Sequence, residues 1–154
     1  MSNHLAIATV TASLCQILQE AVDNDLPPVS GAKVTNDRPN KLETPNAGPG
    51  VNVFLYQVTP NAAWCNTDLP SRRDHGTDVV QRPRVALDLH YLMSFHGDDN
   101  ELQPQRLLGS VARVLNTKPV LDRQRIRALL SKPSYAFLKG SNLAEDVEKV
   151  RFTP

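Results

Sequence analysis

Three side chains of this 154-residue chain stand at a spacing that suits acid–base or metal chemistry. Asp88, His90 and His96 fall on the same parity of one apolar–polar alternating stretch, so a strand would turn all three to one face. Neighbouring same-face positions sit about 7 Å apart. That geometry permits a carboxylate–imidazole pair or part of a metal-dependent hydrolase site. No third ligand or nucleophile is placed beside them by the sequence, and a polar outer sheet face accounts for the same pattern. G-x-S-x-G, the P-loop and G-x-G-x-x-G are all absent, so no cofactor is expected. Gly48-Pro49-Gly50 is a turn and not a phosphate cradle, because its proline has no N–H to offer. Cys15 and Cys65 form neither C-x-x-C nor a disulfide framework, and both read as reduced thiols.

A second constellation is basic. Arg72, Arg73, Arg82 and Arg84 cluster in a polar, turn-rich stretch with Trp64. Four guanidinium groups suit phosphate, but Asp74 and Asp78 offset two of them, and a formal net charge of +1 is not that of a dedicated nucleic-acid binder. Trp and Arg are the residue types that anchor protein interfaces, so a protein partner fits this stretch better. Charge is patchy elsewhere too. Glu20, Asp23 and Asp25 are acidic, as are Asp98, Asp99 and Glu101, and Glu145, Asp146 and Glu148. Between them Lys118, Arg123, Arg125, Arg127 and Lys132 outweigh Asp122. Opposite patches on a near-neutral chain suit self-association, with Arg123, Arg125 and Arg127 facing an acidic stretch of a neighbour.

The elements that position these residues are punctuated by 12 prolines. Leu5 to Asn24 has a helical apolar stripe that Pro27-Pro28 ends. Ala32 to Thr35 is a short strand, and Val51 to Thr59 is a strand apolar on both faces, stopped by Pro60. Residues 61–83 form a long hairpin-tip loop. Arg84 to His96 alternates over its whole length and pairs back antiparallel onto Val51–Thr59. Pro104 opens a helix to Asn116, Asp122 caps another to Ser131, residues 132–140 connect, and Val147 to Thr153 reads as a last strand on a free sheet edge. The order predicts an α+β domain over 1–154, with a mainly antiparallel sheet and helices packed on it. No stretch approaches the roughly 20 apolar residues needed to cross a bilayer, and the N-terminus lacks the layout of a signal peptide.

Several segments resemble one family. Ser2 to Thr11, Pro49 to Asn61, Leu69 to Arg73, Leu87 to Phe95 and Gln105 to Val111 are similar to the N-terminal domain of the cap, or tail-terminator, proteins of extracellular contractile injection systems of the antifeeding-prophage and virulence-cassette type. The resemblance implies a fold like those of phage tail-terminator and tail-completion proteins. It implies a non-enzymatic role: six copies close the baseplate-distal end of the inner tube and sheath, ending polymerisation and stabilising the extended particle. Its partners would be further copies of itself, the tube and the sheath, with no nucleic acid and no membrane. The protein would assemble in the cytoplasm and leave within the particle. Relatives continue past Phe152-Thr153-Pro154 with a further segment. On this reading Trp64, Arg72, Arg73 and Arg82 belong to a contact loop, and Arg123, Arg125 and Arg127 to contacts between copies.

Overall fold

A computed structural model describes residues 3–39, 48–63, 86–145 and 150–154. Its elements run α1 (Ala6–Asp23), β1 (Lys33–Thr35), β2 (Gly50–Pro60), β3 (Leu87–His96), α2 (Gln103–Thr117), α3 (Arg123–Ser131) and a 3-10 helix (Pro133–Leu138). The architecture is α+β, with helices packed against a three-stranded mixed sheet. Strand order is β1-β2-β3; the long pair β2–β3 is antiparallel, while β1 joins β2 in parallel, Val34 opposite Val51.

The chain divides into two compact units. One is Leu55–Tyr91; the other joins residues up to Phe54 with those from Leu92 onward. The second holds the core, in which Leu14 and Leu18 of α1, Val51 and Val53 of β2, Leu107 of α2, Leu129 of α3 and Leu138 are fully buried. These are the residues that three- and four-residue spacing in helices and alternation in strands place on one side. α1 is the common support, packing against α2, α3 and β1. In the first unit Tyr56, Val58 and Leu87 are exposed, and no described residue of β3 is fully buried.

β1 is only three residues long and is held from both sides by amides. Gln19 of α1 accepts from the Val34 N–H at 2.8 Å and donates to the Ala32 carbonyl at 3.2 Å, the pattern a further strand would make. On the other side Asn52, 0% exposed, accepts from the Thr35 hydroxyl (3.0 Å) and the Asp37 N–H (2.9 Å) and donates to the Asp37 carbonyl (3.0 Å). Gly50 starts β2 because nothing larger fits. A Cβ there would lie 2.5 Å from the Lys33 carbonyl oxygen and 2.9 Å from His96 Nε2.

Two expectations change. Residues 132–140 are not a plain connector but carry the 3-10 helix. Among the described residues the C-terminal segment does not join the sheet: Arg151 bridges Val120 antiparallel, the Leu121 N–H donates to Val150 and the Phe152 N–H to Pro119. The linker between Pro119 and Asp122 has no helical partners for its backbone groups, and Val150 and Phe152 satisfy two of them. Val147–Lys149 lie outside the described residues, as do Arg84 and Val85 at the expected start of β3.

Replacing Asn52 by Ala leaves the Asp37 backbone groups and the Thr35 hydroxyl without partners, an expected loss of about 2–3 kcal/mol. Urea unfolding of the variant measures it; a loss under about 0.5 kcal/mol, the level of a neutral surface change, contradicts this role.

Candidate functional site

The acid–base candidates are brought to one strand and then separated by their partners. Asp88 accepts from the Asn61 side-chain amide at 2.8 Å. His90 Nε2 lies 3.1 Å from the Thr59 hydroxyl, with its ring tilted against Tyr56 at 6.2 Å. His96 instead covers Gly50. Each is thus engaged in a cross-strand contact of its own. Among the described residues no group of three His, Cys, Asp or Glu side chains is placed to hold a metal ion. Cys15 is a packed thiol: burial pushes its pKa up to about 11, which suppresses the thiolate.

The contact-loop candidates Trp64, Arg72, Arg73 and Arg82 lie outside the described residues, as do Arg84 and Cys65. The residues at the foot of that loop are described. The Asn61 N–H donates to the Ala86 carbonyl at 2.9 Å, closing the pair of strands just before it.

The charged patches resolve into two kinds. The acidic end of α1 is used internally. The Arg125 guanidinium donates to Glu20 at 3.1 Å, and Asp25 accepts from both Arg113 and the Ser110 hydroxyl of α2. Arg106 adds a bond to the Pro27 carbonyl at 3.0 Å. Acidic groups at a helix C-terminus oppose its dipole, so the two arginines supply the missing positive charge. Glu20 is accordingly held below its ordinary pKa. The Gln16 amide is the largest cause and Arg125 and Lys132 add to it, against an opposing effect of partial burial. Of the basic candidates in α3, Arg125 is therefore committed to α1; Arg123 and Arg127 lie on the exposed surface of the helix.

Sequence reasoning took the acids of α1 for an outward patch, because nothing local marks which distant arginine will meet them. Leu108, which its spacing from Leu107 and Val111 places on the apolar face of the helix opened by Pro104, is instead exposed, as are Leu102 and Phe137, which carry no sequence signal. Leu102 and Leu108 flank the apolar stripe of α2, and Phe137 sits in the stretch read as a connector. No helix among the described residues is long and apolar enough to cross a membrane.

A lowered folded-state pKa gives stability that is present above the unfolded value and lost as pH falls through the folded one. Glu20→Gln is therefore expected to flatten the loss of thermal stability as pH falls below about 4.5. Melting temperatures of the two proteins across that range check this, and parallel acid profiles contradict it.

A family model described as the Pvc16 N-terminal domain matches residues 9–154. Neither the curated proteins nor the solved structures give a match.

Proposed function

The chain belongs to the Pvc16 N-terminal domain family of virulence-cassette contractile injection systems, and from that premise we propose that it is the structural cap of such a particle. In this reading copies of the chain close into a ring, six in number, on the baseplate-distal end of the inner tube and sheath. The ring ends polymerisation and stabilises the extended state. The work is done by binding and not by catalysis. The protein assembles in the cytoplasm and leaves with the particle.

The observation that carries the reading is the family match along residues 9–154. The surface supports it. Leu26, Tyr56, Leu102, Leu108 and Phe137 are large apolar side chains left exposed, which contacts with neighbouring subunits would cover. In this reading the expected contact loop, residues 61–83, supplies Trp64, Arg72, Arg73 and Arg82 as anchors. Arg123 and Arg127 serve contacts between copies; Arg125, paired with Glu20, contributes its charge from within the same patch.

Particles assembled without this chain are expected to vary in tube length, and labelled protein added back should mark one end, opposite the baseplate. Electron microscopy reads both. Particles of uniform length without the chain, or label along the whole sheath, overturn the proposal. Deleting residues 62–82 is expected to abolish end labelling while the remaining protein still folds.

A further inference from the structure

The linker between α2 and α3 and the C-terminal segment meet in one antiparallel bridge, Val120 opposite Arg151. Two backbone bonds frame it. The Leu121 N–H donates to the Val150 carbonyl at 2.9 Å, and the Phe152 N–H donates to the Pro119 carbonyl at 2.7 Å. Bonds in those positions make Val120 and Arg151 a non-hydrogen-bonded pair. Their own N–H and C=O groups therefore turn away from each other, one set to each outer side of the bridge. Neither set makes a backbone hydrogen bond among the described residues. Val120 is 41% exposed, and Arg151 is exposed as well.

The bridge thus has two open edges, and neither is guarded. Elsewhere the chain does guard an edge, where Gln19 occupies the outer side of β1. Proline can also close an edge, but Pro119 turns its carbonyl inward to Phe152 and leaves the outer donors of Val120 and Arg151 in place. The linker edge is held where it is, because Leu121 is buried and Asp122 caps α3. Two paired segments are marginal by themselves, and open edge groups are a template for a further strand.

We propose that the Arg151 edge of one copy of this chain pairs with the Val120 edge of the next. The Arg151 N–H donates to the Val120 carbonyl of the neighbouring copy, and the N–H of that Val120 donates back to the Arg151 carbonyl. The ladder itself points to a second copy as the occupant. In an antiparallel sheet a residue is non-hydrogen-bonded toward one neighbour and hydrogen-bonded toward the other. Val120 and Arg151 fill the first role with each other, so each offers the second. A copy of this chain fills both edges at once, whereas a lone peptide leaves one open. Linker, C-terminal segment and next linker then alternate in direction, so every copy points the same way. That is the head-to-tail arrangement that closes into a ring when its rotation allows. The inference rests on the ring reading above and names a backbone contact within it.

Proline substitutions test it, because Arg151→Pro and Val120→Pro each remove an outward N–H and neither of the two bonds within the chain. Unchanged melting temperatures establish that the fold is kept. In sedimentation the unaltered protein is expected to form concentration-dependent rings, and Arg151→Ala, which keeps the backbone donor, to match it. Each proline variant raises the concentration for half-assembly about tenfold or more, the worth of one or two backbone bonds. An oxidised mixture of Val120→Cys and Arg151→Cys chains is expected to give a covalent dimer, since a hydrogen-bonded pair holds its Cα atoms about 5.5 Å apart, within disulfide reach. This cross-link does not depend on how well Val120→Pro folds. Arg151→Cys chains that cross-link equally well by themselves indicate two-fold pairing of like edges and overturn the head-to-tail contact. Rings that form equally well from the Arg151→Pro chain overturn the contact while the ring stands. An unaltered chain that stays monomeric at every concentration overturns the contact; if it also binds neither tube nor sheath, the cap reading falls with it.

Discussion

The buried amide of Asn52 is the constraint on which the sheet depends. A carboxamide removed from water costs several kcal/mol unless its hydrogen-bonding groups are satisfied, and this one is satisfied only when Thr35 and Asp37 lie alongside it. That requirement fixes the parallel register of β1 on β2 more firmly than three residues of ladder alone would. The outward side of β1 is met by Gln19, so one edge of the sheet is finished by the side chain of a helix. The same bonds tie α1 to the sheet, and α1 then carries α2 and α3. Substituting either amide would disturb more than its own contacts.

A second layer of organisation is electrostatic. α1 ends in acids, an unfavourable arrangement for an isolated helix. Arg113 and Arg125 arrive from two other helices and convert the defect into cross-links, each individually modest at this degree of exposure. They specify which helix ends meet more than they add to stability. The formal net charge of +1 therefore hides a division: Glu20 and Asp25 are paired with arginines, while Asp98, Asp99 and Glu101 form no ion pair among the described residues.

Where the elements lie was legible because local rules mark them. Pro27 and Pro28 follow the end of α1, Pro104 opens α2, and Asp122 caps α3 by accepting from the Gln124 N–H. Alternation identified β3, and the short β1 was found from four residues. What could not be read was pairing at a distance. Val147 to Thr153 has ordinary strand composition, and nothing in it says that Arg151 will bridge Val120 of a linker. Asp88, His90 and His96 have the same parity on β3, yet Thr59 and Gly50 of β2 and Asn61 just beyond it decide what each one touches. Residue type and parity set the possibilities, and tertiary contacts select among them.

The burial of β2 changes along its length, from Gly50–Val53 in the core to Tyr56–Val58 in water. One uninterrupted backbone therefore belongs to two environments. Rupturing the inner segment requires shearing β1 and β2 past each other together with the amide bonds of Asn52. The Gly50–Val53 segment is therefore an anchorage, gripped through its backbone and through a buried side chain at once.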